Sequence, residues 1–456
     1  MCRGAWLVLL GWSSVLSVTV VAAEPAPLPD KIETSRDLLA AYGAGPERLA
    51  KLRDGEPWDE SEVEPVVATL AALRRFTLAD FERFGSASPH LWTSEVTADQ
   101  TPRRGTMDRF RGTATWVRRF DQHSPDGPSP KLVERFGVER FYVCDVRVTG
   151  DVQPSWRAAK VFALDVPTAW KLDTPLDEPV EFDAAFLKVV GRDEHAPVML
   201  AAQRIGWHPH TLLGELGMDV GLLDAIQDRT PIGAADRTCF YALLAAAGRA
   251  PPGELLARAG ADAPVVPLFN EPAAERGKLV ALTGTVVRAV PIRVADADIR
   301  AAFGIEEYYE LELLNVDSQG NPLALCVLHV PPGMPTGEQV TVDIRAAGFF
   351  FKSWAYRPHH ASGAKPEEAG KVHYQLAPLV IGREAILLPK VVRSTKLVDS
   401  VMLALFGGGF ALLLAGAWWF WREDRWFRKR VGYERLSPGP GRRIGPPEEE
   451  DDTPSE

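Results

Sequence analysis

The longest hydrophobic segments of the chain lie near its two ends. Residues 6–22 contain no ionisable side chain and follow Arg3, and the small residues at 21–23 suit a signal peptidase. This pattern predicts a signal peptide over residues 1–23, cleaved before Glu24. An uncleaved membrane anchor with the same hydrophobicity is the alternative.

Residues 400–421 form the second apolar segment and carry no charge. At about 1.5 Å per residue, such a helix crosses a hydrocarbon core of about 30 Å. Tryptophans at its end are followed by a basic run, namely Arg422, Arg425, Arg428, Lys429 and Arg430. The positive-inside rule then predicts a single-pass protein of the cell membrane, with an extracytoplasmic N-terminal region and a cytoplasmic tail. Membrane lipids are therefore an expected partner, and residues 390–399 are the predicted juxtamembrane linker.

Small residues recur within the predicted span. Gly407, Ala411 and Ala415 lie at intervals of four residues. Small side chains on one face let two helices approach closely in lipid, so these residues are the predicted face for self-association. The tail over 422–456 is rich in Pro, Gly and Arg and has no apolar periodicity, which predicts a disordered segment.

Between the two apolar segments, one pattern of helices and strands occurs twice. Apolar residues at helical spacing fill 61–75 and 236–249, and each stretch precedes a second short helical one, 78–84 and 253–259. Five strand-like blocks then match in the same order: 110–117 with 281–288, 136–142 with 303–309, 161–167 with 325–331, 180–183 with 340–343, and 200–206 with 376–382. The sequence therefore predicts an internal repeat.

The predicted fold class is α+β: two copies of a helical segment plus a five-stranded β-barrel, then one transmembrane helix. The predicted boundaries are 24–104 and 207–276 for the helical segments and 105–206 and 277–389 for the barrels. Five short strands with a glycine early in the first resemble the OB-fold. An SH3-like barrel or a small β-sandwich fits the pattern too. As a whole, the chain resembles uncharacterised bacterial membrane-anchored proteins with tandem OB-fold-like repeats, a resemblance that implies an architecture and no activity.

The overall charge argues against one class of function, and the cysteine count bears on disulfide formation. A formal net charge of −10 argues against a nucleic-acid groove, which needs dense Lys and Arg. Cys2 would leave with the signal peptide, so Cys144, Cys239 and Cys326 remain in an oxidising compartment. Buried, unpaired thiols are the prediction, with one disulfide as the alternative.

Few side chains suggest catalysis or metal binding. His208 and His210 follow the last strand of the first copy, and His359 and His360 precede the last strand of the second. Neither pair has a third ligand at a suitable spacing, so no metal site and no cofactor are predicted. Nucleophile-elbow, phosphate-loop, zinc-protease and C-x-x-C motifs are missing from the sequence, so no catalytic residue is predicted.

The densest aromatic run outside the apolar ends is 348–356. Strand alternation places one set of its side chains inside a barrel and the other outside. The predicted binding surface is Phe350, Lys352, Trp354 and Tyr356, unless a neighbouring helical segment covers that face.

These patterns predict a membrane-anchored binding or scaffolding protein of the bacterial envelope, with an envelope protein as its partner and no nucleic acid. An envelope enzyme with a site between the two copies is the first alternative. A structural spacer without a specific partner is the second.

Overall fold

The predicted strands occur in the predicted order, but Pro130–Phe136 and Ala297–Phe303, between the first and second strands of the two halves, form helices that the sequence analysis did not predict. The computed structural model describes residues 32–85, 101–149, 156–192, 196–356, 374–389 and 396–430. The chain divides into two compact units, Met1–Pro389 and Lys390–Glu456. The predicted signal peptide, residues 431–456 of the tail, and His359 and His360 lie outside the described residues.

The first unit contains short helices and longer strands. Its helices are α1 (Ser35–Ala41), α2 (Pro46–Leu49), α3 (Val63–Leu73), α4 (Leu78–Phe84), α5 (Pro130–Phe136), α6 (Leu212–Glu215), α7 (Ala234–Arg249), α8 (Glu254–Ala259), α9 (Val266–Asn270), α10 (Pro272–Glu275) and α11 (Ala297–Phe303). Its strands are β1 (Met107–Asp121), β2 (Arg140–Thr149), β3 (Trp156–Asp165), β4 (Glu178–Val189), β5 (Val198–Arg204), β6 (Gly206–Trp207), β7 (Leu279–Arg293), β8 (Glu307–Leu314), β9 (Pro322–His329), β10 (Val342–Tyr356) and β11 (Gln375–Leu387).

The last five strands close into a barrel, here called the C-terminal barrel. Its order is β7-β8-β9-β11-β10, and β10 pairs with β7 to complete the ring. The neighbouring strands are antiparallel except for β9 and β11, which are parallel. Five strands in this closed arrangement fit the OB-like barrel that the sequence predicts.

The first six strands form the N-terminal sheet, which has a matching strand order. Its order is β1-β2-β3-β5-β4-β6, and β1 also pairs with β4. Strands β3 and β5 are its parallel pair, in the positions that β9 and β11 occupy in the barrel. The two halves therefore share a pairing scheme as well as a sequence pattern.

Strand pairing corrects three of the sequence matches between the halves. Gly112 lies opposite Val180, and Gly284 lies opposite Ile344, so the two glycines correspond and the first block shifts by one residue. Val180 therefore matches Ile344, and the fourth and fifth blocks each shift by about four residues relative to the sequence prediction. The four-residue shifts keep the period-two alternation, so the sequence pattern did not reveal them, whereas the one-residue shift of the first block exchanges its inward and outward positions.

The corresponding glycines are needed for close strand approach. A Cβ on Gly112 would lie 2.2 Å from the carbonyl oxygen of Arg147, and a Cβ on Gly284 would lie 2.4 Å from that of Leu314. Any side chain there would push the first strand of each half away from its neighbour. Glycine at this point lets one long strand pair with two partners.

Each half buries two apolar layers, one inside the sheet and one beneath its helices. In β10, Phe350 points into the C-terminal barrel, while Phe349 and Phe351 pack against α7 and its neighbours. In β4, Phe186 belongs to the interior cluster and Leu187 to the cluster under α3. Strands that are covered on both faces read as continuous hydrophobic runs, as β4 and β10 do.

A buried lysine joins the helical part of the second half to its barrel. The Lys352 ammonium on β10 is fully buried and bonds both carboxylate oxygens of Asp236, at 3.1 and 3.2 Å, and the Thr230 hydroxyl at 2.9 Å. Asp236 lies in the first turn of α7 and accepts a bond from the backbone N–H of Gly233. The ion pair therefore fixes the start of α7 against the strand.

The first half contains a corresponding buried ion pair between a strand lysine and a carboxylate of its helical segment. Lys188 on β4 is fully buried and bonds the Glu62 carboxylate at 2.5 Å and the carbonyl oxygen of Glu56 at 3.1 Å. Asp54 accepts a bond from the backbone N–H of Val189 at 3.0 Å and pairs with Arg104.

In the second half, an aspartate and an arginine beside Lys352 correspond to Asp54 and Arg104 of the first half. Asp228 accepts a bond from the backbone N–H of Ser353 at 2.9 Å and pairs with Arg276. We refer to the two networks as the Lys188 and Lys352 staples.

The second unit contains α12 (Lys396–Arg430), described here by itself. Val401–Glu423 within it is long and apolar enough to cross a membrane, the one such helix found in the described ranges. The helix continues to Arg430, although the sequence analysis expects a disordered tail from Arg422. Arg422 and Arg425 lie over Trp418 and Trp421, and such contacts between residues four apart support the added helical turns.

The staples lead to a stability prediction. Lys352→Met should lower the free energy of unfolding by about 3–5 kcal/mol, because it leaves the Asp236 carboxylate buried without its cation. Lys188→Met should have a similar cost through Glu62. Urea titration of the full chain in detergent, followed by circular dichroism, measures both.

Lys160→Met is the matched control, since it breaks the exposed Lys160–Asp145 pair and should cost about 1 kcal/mol or less. The double change Lys352→Met with Asp236→Asn should cost less than Lys352→Met alone. Equal losses for Lys352→Met and Lys160→Met would contradict the role of the staple.

Candidate functional site

The structure separates the four side chains predicted to form a binding surface. Phe350 and Lys352 are fully buried, in the barrel interior and in the staple, so the prediction that they are exposed is wrong. A register shift between Phe350 and Lys352 interrupts the alternation, and α7 covers the strand there. Trp354 and Tyr356, further along β10, do reach a surface cleft.

This cleft, here called the barrel cleft, has a volume of about 540 Å³. Its floor is the outer face of β7, β8 and β9, and the ends of β10 and β11 form one wall. Pro231 and Ile232, which directly follow Thr230 of the staple, form part of its rim. The same staple that attaches α7 to the barrel therefore positions one edge of the cleft.

Aromatic side chains dominate one wall of the barrel cleft. The Trp354 and Tyr356 rings lie 5.3 Å apart, tilted by 36°, and the Tyr356 hydroxyl donates to Oε1 of Gln375 at 3.0 Å. Tyr374 and Ile232 beside them are 48% and 40% exposed. Half-exposed rings with a fixed tilt offer a flat apolar surface to a ligand.

The charged side chains of the barrel cleft are unevenly paired. Arg288 donates to Glu310 at 2.7 Å and to Glu338 at 2.7 Å. Glu312 also lines the cleft, and no cation among the described residues pairs with it. Burial, and then the Glu312 carboxylate, raise the pKa of Tyr356 to about 12, so this phenol stays protonated at neutral pH.

The N-terminal sheet has a cleft at the corresponding place, with a volume of about 490 Å³. Trp58, Trp116 and Phe120 line it. Asp145 on β2 and Lys160 on β3 also line it and form an ion pair at 2.8 Å. Both halves thus carry an aromatic cleft on the outer face of their first three strands, with different charges.

A third cleft, here called the inter-half groove, has a volume of about 280 Å³ and is lined by residues from both halves. Arg109 and Asp183 come from the first half, and His208, Asp219 and Arg249 follow it in the chain. Arg109 pairs with Asp183 at 2.9 Å and with Glu82 at 2.9 Å. The groove therefore collects ionisable groups that are far apart in sequence.

Burial changes the proton affinity of two groups in this groove. Burial raises the pKa of Asp183, although the bonds from Arg109 oppose the shift. Burial lowers the pKa of His208, against the opposing effect of Asp219 and Glu181. His208 is therefore held in its neutral form at neutral pH.

The other residues that the sequence analysis considered for metal binding or disulfide formation are three histidines and three cysteines. His210 is exposed and does not line the inter-half groove, and His359 and His360 are not described. The ranges that the structure describes contain no group of three His, Cys, Asp or Glu side chains placed to hold a metal ion. Cys144, Cys239 and Cys326 are free and buried, as the sequence predicts.

Sequence reasoning missed both the groove and the staples. The groove joins residues of different elements, which no local pattern reveals. A signal for the staples was present, because Lys188 and Lys352 are single lysines within otherwise apolar stretches. A lysine that interrupts such a run at matching places in two repeats predicts a buried ion pair.

The lowered pKa of His208 gives a pH prediction. The ring should titrate with a midpoint below the ordinary value of about 6.5. Between that midpoint and about pH 6.5 the unfolded chain binds more protons, so the His208 contribution to stability should fall as pH falls through this window. Carbon–proton NMR of the histidine rings, with the peak assigned by His208→Gln, measures the midpoint. A midpoint at or above 6.5 would contradict the buried environment.

Comparison with known proteins adds little. No family model and no curated protein matches the chain. Among solved structures, the chain is similar to a deletion mutant of the single-stranded DNA binding protein from Thermus aquaticus, with 8% sequence identity and a TM-score of 0.15. The match covers 63% of this chain and 95% of that chain. A likeness this weak carries no argument about function.

Proposed function

We propose that this chain is a membrane-anchored binding or scaffolding protein of the bacterial envelope and that the barrel cleft receives its partner. The observation that carries the proposal is an open cleft of about 540 Å³ with Trp354 and Tyr356 on its wall. Barrels of the OB type bind ligands across the face of their second and third strands. In this chain those strands are β8 and β9, which form the floor of the cleft.

The proposal includes an orientation in the membrane. Residues 1–23 would be an export signal, and α12 would hold the mature protein in the membrane by one span. The basic run after the tryptophans favours a cytoplasmic tail, where it meets anionic lipid headgroups. Gly407, Ala411 and Ala415 would let two such helices associate.

The proposal also includes an internal duplication, in which each copy is a helical segment plus an OB-like barrel. Support comes from the parallel pair in the same place of each sheet, from Gly112 and Gly284, and from the two staples. A shared pairing order, a shared glycine and a shared buried ion pair are hard to obtain independently. The architecture resembles that of uncharacterised bacterial membrane-anchored proteins with tandem barrels of this kind.

A second candidate function is an envelope enzyme acting in the inter-half groove. Ionisable side chains from both halves meet there, including a neutral His208 near the Asp219 and Glu181 carboxylates. A neutral imidazole next to a carboxylate is a suitable start for acid–base chemistry. Loss of a measured hydrolase activity in His208→Gln, with the fold intact, would favour this candidate.

Partner capture tests the binding proposal. Crosslinking in intact membranes and purification of the tagged chain should recover a reproducible envelope protein. The double change Trp354→Ala with Tyr356→Ala should reduce recovery about tenfold or more, because aromatic anchors in a cleft dominate binding energy.

Trp116→Ala removes an aromatic ring from the corresponding cleft of the N-terminal sheet and serves as the control; it should leave recovery unchanged. An unchanged yield for the Trp354 and Tyr356 variant would reject the barrel cleft as the site. No reproducible partner at all would favour the structural spacer.

The orientation has its own test, which uses the burial of the three native cysteines outside residues 1–23. With Cys2 changed to Ser, Val316→Cys places a thiol at a side chain that is 96% exposed. A maleimide that cannot cross membranes should label this variant in intact cells whose outer barrier is permeabilised. Ser437→Cys, in the tail, should react only after lysis. The reverse labelling pattern would invert the proposed orientation.

A further inference from the structure

The two aromatic clefts differ at one pair of facing residues. In the N-terminal sheet, Asp145 on β2 lies opposite Lys160 on β3, and the two side chains form an ion pair. In the C-terminal barrel, the corresponding register pair is Glu312 on β8 opposite Ala324 on β9. The carboxylate is thus present in both clefts, but only the first cleft contains its lysine.

No other described cation replaces that lysine in the barrel cleft. Arg288 lies opposite Glu312 in the strand register, but its guanidinium donates to Glu310 and Glu338. Among the described residues that line the cleft, Arg288 is accompanied by two carboxylates, Glu310 and Glu312, so the lining has a net negative formal charge. The space above Ala324, where Lys160 lies in the other half, is part of the open cleft.

The aromatic wall of the barrel cleft is a suitable contact surface for an ammonium group. Trp354 and Tyr356 line the same cleft as Glu312, and the Glu312 carboxylate is close enough to Tyr356 to contribute to the rise of its pKa. Ring faces attract cations through their quadrupole, and a carboxylate beside them adds direct attraction. An ammonium placed above Ala324 would meet both groups.

We propose that the barrel cleft binds a lysine side chain of the protein partner, with Glu312 opposite the ammonium and Trp354 and Tyr356 along its alkyl chain. This inference rests on the proposed function and names the chemistry of its ligand. The N-terminal sheet supplies the corresponding ammonium from its own Lys160. Apolar surface from Pro231, Ile232 and Pro322 suits the residues that flank the lysine in an extended segment.

Fluorescence anisotropy with the full chain in detergent tests the ligand class. The probe is a labelled peptide, Leu-Val-Lys-Val-Leu, and the comparison peptide replaces lysine by norleucine, which keeps the length and removes the charge. The lysine peptide should bind about tenfold more tightly than the norleucine peptide, as expected for one partly exposed cation contact of this kind.

Two variants should remove this preference by different routes. Glu312→Gln keeps the shape of the side chain and removes its charge, and Ala324→Lys restores to the cleft the lysine that the other half has. Glu312→Gln should weaken the lysine peptide about tenfold and leave the norleucine peptide unchanged. Ala324→Lys, which adds a cation and fills part of the same space, should weaken the lysine peptide about tenfold and the norleucine peptide less. Asp145→Asn, in the other cleft, is the matched control and should change neither affinity. Because Ala324 is buried, circular dichroism of each variant checks the fold.

Several outcomes would overturn the proposal: no binding of the lysine peptide, equal affinity for the two peptides, or no effect of Glu312→Gln. Competition by phosphoethanolamine as strong as by the unlabelled lysine peptide would assign the cleft to a lipid headgroup instead. The partner-capture experiment distinguishes failure of the lysine proposal from failure of the proposal that the barrel cleft binds a partner. If Trp354→Ala with Tyr356→Ala still abolishes capture, the cleft binds its partner through another chemistry.

Discussion

The architecture depends on two buried lysines. Lys188 and Lys352 each lie within a strand that is covered on both faces, and each neutralises a carboxylate at the start of a helical segment. A charge buried this deeply is tolerated only with its partner in place, so each strand fixes where its helical segment begins. The helices then cover the strand faces that would otherwise expose phenylalanine and leucine.

The order of the strands was readable from the sequence, but α5, α11 and the register between the two halves were not. Apolar residues at helical spacing located α3 and α4, and alternating blocks located the strands. Aligning the halves by local similarity placed Gly112 one residue away from its counterpart Gly284, and the fourth and fifth blocks about four residues away from theirs. The four-residue shift keeps the period-two alternation and therefore leaves no trace in the sequence pattern. Hydrogen-bond pairing resolves this, since it assigns one partner to each residue.

The aromatic run of β10 shows why the site was harder to predict than the fold. Alternation grouped Phe350 and Lys352 with Trp354 on one predicted surface, but Phe350 lies inside the barrel and a register shift interrupts the alternation before Lys352. Whether a side chain is free then depends on α7, which is more than a hundred residues away in sequence. Trp354 and Tyr356 are only partly buried against the hydrophobic cluster that includes α7, and both line the cleft.

The two halves are alike in one part of the fold and differ in another. The staples keep the same residue types in both halves, lysine against a carboxylate with an aspartate–arginine pair beside it. The outer faces of the first three strands differ, with Trp116 where the barrel has Arg288 and Lys160 where it has Ala324.

The rim of the barrel cleft is attached to its wall by backbone bonds. Thr230 forms a parallel bridge with Trp354, the N–H of Arg229 donates to Ser353, and the N–H of Ala355 donates to Thr230. The rim thus extends β10 sideways as a rudimentary extra strand. Rim and wall move as one piece, so an arriving segment meets a shape that is already formed and loses little free energy to ordering it. Discrimination among partners would then depend on what fits the cleft rather than on how the cleft closes.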